Sequence, residues 1–303
     1  MSRFSARLIR LSLTCGVLAL LTPTAHAQDG ADAPIDPEFL EIQRLFNSIE
    51  WTYGPATAPI GDNASIELTE GYQITGSAGS QAWNKITQNP PDSTVATLMP
   101  SDDESSWFIA FEFEDSGYVK DDEAADLDAD AILKSMQQGT EASNKYRQQQ
   151  GWGAIHVDGW IVEPTYDEET NHLVWATDLR ADDGGRSANY SIRLLGRRGV
   201  MNAILVCDPE KMSEILPKVN QLLEGFEYND GERYAQWTTG DKVAAYGLTG
   251  LITGGAFVAA AKTGLLAKLG MLLAKGGKAI VFVILAIGAG IYKLFGGRSS
   301  QAS

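Results

Sequence analysis

Between Ala154 and Cys207 the chain passes through four alternating apolar stretches, about Ala154–Val162, Asn171–Leu179, Ala188–Arg197 and Val200–Cys207. Asp167–Thr170, Asp182–Gly185 and Arg198–Gly199 separate them, and these are residues that favour turns. Strands so close in sequence pair most simply as an antiparallel meander. If Asp183-Gly184 or Gly184-Gly185 centres the second turn, Leu173, Trp175 and Leu179 share a face with Tyr190, Ile192 and Leu194. The third turn adds Met201, Ala203, Leu205 and Cys207 to that face. The opposite face then collects Val174, Ala176, Leu195, Val200, Ile204 and Val206 around Arg193 and Asn202. A sheet apolar on both sides needs a covering layer on each.

Helices are available to supply that cover. Asp208-Pro209-Glu210 starts one, with Asp as cap and Pro at the first position, and Met212, Ile215, Leu216, Val219, Leu222 and Leu223 form its apolar stripe. Pro217 should kink it and Gly225 end it. A longer helix is predicted from about Asp128 to Gln150, capped by Asp128 and ended by Gly151, with Ile132, Leu133, Met136, Ala142 and Tyr146 inward. Phe39, Ile42, Leu45, Phe46 and Ile49 predict a short amphipathic helix over 38–50. Trp51–Pro59 reads as a loop, and Ile60–Leu68 and Gly71–Thr75 as strands. Ser106–Glu114 is a further strand, with Trp107, Ile109, Phe111 and Phe113 on its more buried side. The expected fold class is α+β: an antiparallel meander covered by helices, in the manner of an α/β/α sandwich, plus a C-terminal transmembrane helical hairpin.

The two ends of the chain carry the signals of destination. Arg3, Arg7 and Arg10 precede an apolar run, Leu11–Leu21, and Ala25-His26-Ala27 presents small residues for cleavage, so residues 1–27 read as a secretory signal peptide. Residues 28–50 hold a flexible lead-in and the short helix, and 51–235 an extracytoplasmic domain. Val243–Ala261 has no charge and, at ~1.5 Å per residue, is just long enough to cross a bilayer. Ala279–Tyr292 is shorter but more apolar, with Lys278 and Lys293 placed to reach the interfaces and 279–295 as the second crossing. Between them, 262–278 alternates leucines with Lys262, Lys268 and Lys275 as a basic amphipathic connector, expected on the cytoplasmic side. Gly250 and Gly254 would let a partner helix approach the first crossing closely. These features predict a protein of the bacterial cytoplasmic membrane with its main domain on the periplasmic side; the alternative makes the two apolar helices a buried core hairpin of a soluble protein.

Charge narrows the partners. The chain has a net charge of -15, and nine of its 24 positive side chains lie in the first ten residues or from Lys262 onward, so the central domain is strongly acidic. Such a domain repels nucleic-acid phosphates, which argues against DNA or RNA.

Chemistry is harder to find. Cys15 lies in the leader and Cys207 closes an apolar run, which predicts a buried structural thiol. Asp126-Leu127-Asp128-Ala129-Asp130 starts like a calcium loop, but Ala131 and Gln137 stand where Gly and Glu are needed. Gly76–Ser80 lacks the Lys-Ser/Thr ending of a phosphate loop and reads as a turn. No cofactor and no metal are implied. The binding candidates are Asn189, Arg193, Arg197, Asp178 and Glu163, with the neighbourhood of Arg193 foremost. The expected role is an interaction module that binds another envelope protein or a ligand. The alternative is an envelope hydrolase using carboxylates such as Glu163, Asp167 and Asp178 with Arg193, Asn189 or His172.

The order of several motifs resembles one bacterial family. They are Trp51 with Gly54-Pro55, Gly117-Tyr118-Val119, Asn144, Arg147, Gly159-Trp160, Pro164-Thr165-Tyr166-Asp167, Asn189-Tyr190, Arg193, Leu195-Gly196-Arg197 and Gly199-Val200. The family is the domain of unknown function 2167 family, and the glycine-rich tail is similar to that family's as well. The resemblance implies a membrane-anchored envelope protein and brings no catalytic residue, substrate or cofactor. In architecture alone, the meander followed by a helix also resembles the α/β/α sandwich of photosystem-II-associated and Ran-binding Mog-type proteins.

Overall fold

A computed structural model of the chain describes residues 37–90, 94–102 and 104–253. The signal peptide, most of the lead-in, the connector and the second crossing expected from sequence lie outside the described residues. Eleven strands and five α-helices build the rest, and eight of the strands form one antiparallel sheet. In chain order the strands are β1 (Thr52–Tyr53), β2 (Ala56–Ile60), β3 (Ala64–Leu68), β4 (Tyr72–Gly76), β5 (Thr94–Pro100) and β6 (Phe108–Glu114), then β7 (Ile155–Asp167), β8 (His172–Ala181), β9 (Arg186–Leu195), β10 (Val200–Cys207) and β11 (Phe226–Tyr228). The helices are α1 (Pro37–Asn47), α2 (Ser77–Ile86), α3 (Ala129–Gln149), α4 (Met212–Leu223) and α5 (Leu248–Thr253).

The large sheet has the order β1-β4-β5-β6-β10-β9-β8-β7, and β11-β3-β2 make a second, smaller sheet. The meander from β7 to β10 is present, and it closes on β6 rather than standing alone. One face of the large sheet packs Ile109, Phe111, Ile192, Leu194, Met201, Ala203, Leu205 and Cys207 against Met212, Ile215, Val219 and Leu222 of α4 and against the small sheet. So one covering layer combines a helix with a small sheet, as the expectation of a covering layer on each face allows. The other face is covered at its two ends. Trp83 of α2 packs on Met99 and Phe108 near one end, and Ile132 of α3 with Leu248 and Leu251 of α5 packs with Leu173 and Trp175 near the other.

Local chemistry explains where the elements differ from expectation. The supposed loop at Trp51–Pro59 contains β1 and β2, and β2 accepts Pro59 because it is an edge strand whose missing N–H interrupts no ladder. The supposed strand Ile60–Leu68 is a hairpin that turns at Gly61, φ 57°. Gly76–Ser80 begins α2 rather than forming a turn. Thr94–Pro100, to which no element was assigned from sequence, is a central strand.

The long helix α3 is capped as expected, Asp128 Oδ1 accepting from the Ala131 N–H at 3.0 Å. Its inward side differs: Ala142 and Tyr146 are exposed, whereas Ile132 and Asn144 are buried. The reason is that α3 lies beside β7, the sheet's last strand. Asn144 donates from Nδ2 to the Ile155 carbonyl at 2.8 Å and accepts from the Ile155 N–H at 3.1 Å, and Gln137 Nε2 donates to the Val157 carbonyl at 3.1 Å. The helix thus satisfies strand-edge groups with side-chain amides instead of apolar contact.

Two outcomes follow. Asn144→Ala removes both bonds to Ile155 and should cost about 1–3 kcal/mol in denaturant unfolding, without changing the secondary structure. His156 of β7 lies 3.0 Å from Asp182 and 2.6 Å from Glu141 of α3, and these carboxylates raise its pKa above the ordinary value. Its contribution to stability is therefore full below the unfolded pKa of about 6.5 and is lost as pH rises through the folded value, which a histidine NMR titration should place above that of His156 in the unfolded chain.

Candidate functional site

The turn from β8 to β9 decides what the helix-covered face carries. It has three residues, Asp182-Asp183-Gly184, with Gly184 at φ 89°; Ala181 N–H donates to the Gly185 carbonyl at 2.8 Å, and Gly184 N–H to the Ala181 carbonyl at 3.0 Å. Arg180 consequently pairs with Arg186, Trp175 with Ser191 and Leu173 with Arg193. The expected register is therefore corrected by one position. Leu173, Trp175 and Leu179 do not share a face with Tyr190, Ile192 and Leu194; they share one with Arg193, because a one-residue change of register swaps the faces of the whole strand. The expected grouping of β9 with β10 stands, since Leu194 pairs with Met201 and Ile192 with Ala203.

A polar row results across three strands. Glu112 of β6 pairs with Asn202 of β10, and Asn202 pairs with Arg193 of β9. Glu114 stands two residues along from Glu112 on the same side, about 7 Å away by strand geometry. The row lies between the α2 and α3 ends of the covering layer, and its neighbours Ala110, Ile204 and Val206 are half-buried. The Arg193 guanidinium lies over the Trp175 ring at 4.8 Å, a cation–π contact. Its Nε and Nη1 are enclosed without a hydrogen-bond partner, and so is Oδ1 of Asn202, a residue only 6% exposed.

Burial pushes the Arg193 pKa down to about 10, while Glu112 and Glu114 pull it the other way. Burial likewise pushes Glu114 up, with Arg193 opposing and Glu112 adding to the rise. The group is one in which desolvation and mutual attraction are both large.

The other sequence candidates do not join this row. Asn189 is on the same side of β9 as Arg193, but four residues away, which is roughly 13 Å along a strand. Arg197 is beyond the strand end, where its Nε and Nη2 donate to Asp241 at 2.7 and 3.0 Å. Asp178 is paired with Arg186 on the neighbouring strand, and Glu163 is exposed on β7. Asp167 accepts from the Glu169 and Thr170 N–H groups, the work of a turn residue. Glu112 and Glu114 were missed as site residues because the pairing of β6 with β10 joins stretches far apart in sequence.

The family model described as "Protein of unknown function (DUF2167)" matches residues 52–288. The chain belongs to this family. No curated protein matches it. Among solved structures, cyanobacterial PsbP (CyanoP) from Synechocystis sp. PCC 6803 is similar at 9% identity and a TM-score of 0.35, over 66% of this chain and 98% of that one. A likeness at that level bears on neither site nor role.

Several residues of the DUF2167 resemblance have structural work here. Asn144 binds the β7 edge, and Arg147 joins helix ends by donating to the Gly153 and Gln88 carbonyls at 2.7 and 3.1 Å. Gly199 lies against β6 so closely that a Cβ would come 2.2 Å from the Glu114 carbonyl oxygen. Arg193 alone among them keeps enclosed donors without partners.

The raised Glu114 pKa fixes a sign. Between the ordinary carboxylate range, about 4.3, and the folded value, the folded state holds a proton that the unfolded state has released, so stability falls as pH rises through that window. Glu114→Gln should remove this slope: urea midpoints of variant and parent should lie closest near pH 4, with the variant gaining relative to the parent towards neutrality.

Proposed function

We propose that this DUF2167 protein is an envelope binding module. Its acidic domain is exported by the leader at Arg3–Ala27, retained at the cytoplasmic membrane by the apolar C-terminal part, and recognises a partner or ligand through the Glu112–Asn202–Arg193 row. One observation carries the recognition half: Arg193 Nε and Nη1 and Asn202 Oδ1 are enclosed on one face without hydrogen-bond partners. An orphaned buried polar group costs about 1–3 kcal/mol, so a fold that keeps such atoms side by side calls for a use beyond folding. The leader and the apolar Ala279–Tyr292 stretch support the anchoring half.

A second reading has an observation of its own. Glu114, with its raised pKa, and Glu112 stand on one side of β6 near Arg193, a pair suited to acid and base roles in a carboxylate-based hydrolase. The two carboxylates differ from those expected in the sequence, Glu163, Asp167 and Asp178, which do not converge.

The test compares the full-length protein with Arg193→Ala and Asn202→Ala, cross-linked in native membranes and purified after carbonate washing. Retention in the washed membrane and a cross-linked component that both variants lose, at an unfolding midpoint no lower than the parent's, is the expected result. Equal cross-linking by all three proteins would sink the proposed row as the recognition site. Turnover of glycoside, ester or amide substrates that Glu114→Gln abolishes would favour the hydrolase instead.

A further inference from the structure

The stretch expected to make the first membrane crossing begins inside the domain. Beyond β11 the chain returns along the helix-covered face as a strap tied at successive points. Arg198 pairs with Glu232, Tyr234 Oη donates to the Val119 carbonyl at 2.9 Å, and Tyr118 stacks on Tyr234 with ring centres 4.4 Å apart. Tyr118 N–H donates to the Lys242 carbonyl at 2.8 Å, and Ala244 N–H donates back to the Tyr118 carbonyl at 2.8 Å. At the start of α5, Glu123 accepts from the Thr249 N–H at 3.3 Å. Leu248, Leu251 and Ile252 are 0%, 3% and 6% exposed, in one cluster with Val119, Ile132, Leu173 and Trp175. Gly250, expected to face a partner helix, is buried as well. The packing of the domain accordingly continues past residue 235 and through Ile252.

We infer that the chain crosses the membrane once, through 279–295, and that Val243–Thr253 is the last element of the domain and not the start of a crossing. The inference rests on the membrane anchoring proposed above. Its basis is length. With α5 in the core, the uncharged remainder Gly254–Ala261 would span only about 12 Å even as a helix, against ~30 Å of hydrocarbon. Extending it forward would bury Lys262 and Lys268 in lipid, and extending it backward would strip Leu248, Leu251 and Ile252 from the core. Among the described residues no helix is long and apolar enough to cross a membrane.

A single crossing reverses the expected sidedness. Lys262, Lys268, Lys275 and Lys278 then stand outside, and Lys293 and Arg298 stand inside. The excess of lysines in the connector favours the opposite orientation, but that preference is a bias, whereas the length deficit is a geometric bar.

Single cysteines test this in the full-length protein, with Cys207 buried in the core and out of reach of label. Ala267→Cys and Ser299→Cys are exposed in intact spheroplasts to a membrane-impermeant maleimide. One crossing predicts that Ala267→Cys labels at once and that Ser299→Cys labels only after permeabilisation. The reverse pattern means two crossings and overturns the inference while leaving the anchoring intact. Release of the whole protein by carbonate overturns both. Hydrogen exchange on the membrane-bound protein reads the same question independently: the α5 amides should be protected as strongly as those of β8, and rapid exchange there would refute the docking of α5.

Discussion

The pairing of Arg180 with Arg186, set by a three-residue turn with Gly184 in the left-handed region, is the constraint on which the rest of this domain depends. A strand has two faces and no intermediate setting, so the turn decides for all of β8 at once whether Leu173 and Trp175 look towards α4 or towards α3 and α5. Given the observed setting, Trp175 becomes the surface on which Arg193 lies, and Leu173 becomes the wall against which Ile132 and Leu251 pack. The helix-covered face therefore owes its hydrophobic end, its polar middle and its binding of α5 to one turn.

That turn also marks where the sequence ceases to be legible. Asp182-Asp183-Gly184-Gly185 announces a hairpin without stating whether two or three residues make the loop, and the two choices give opposite faces. Strand alternation was enough to find β6 to β10, and capping chemistry was enough to find α3 and α4, because both are local. Thr94–Pro100 shows the opposite case: as a strand buried on both sides it has no alternation to read. The inward side of α3 was misread for a related reason. Apolar spacing pointed to Tyr146, but the helix meets a strand edge, where an amide such as Asn144 is worth more than a ring.

The Arg193 neighbourhood was singled out from sequence as a charge among apolar residues, and it is the place where the structure keeps polar atoms enclosed and unsatisfied. Its partners could not be foreseen, since Glu112 and Glu114 arrive through a pairing of β6 with a strand more than eighty residues further along. Arg193 is held by opposed tendencies: burial disfavours its charge, while the two carboxylates and the face of Trp175 favour it. Any group that entered the row would change that balance, so binding there would be coupled to titration.

The side-chain amides that α3 sets against β7 bear on how this domain meets other chains. Exposed strand edges invite a foreign strand to extend the sheet, and such additions underlie both some peptide recognition and runaway assembly. Here one end of the eight-stranded sheet is closed by Asn144 and Gln137, and the other end is the two-residue strand β1, too short to template much of a partner. The large sheet is thus poorly suited to polymerise edge to edge.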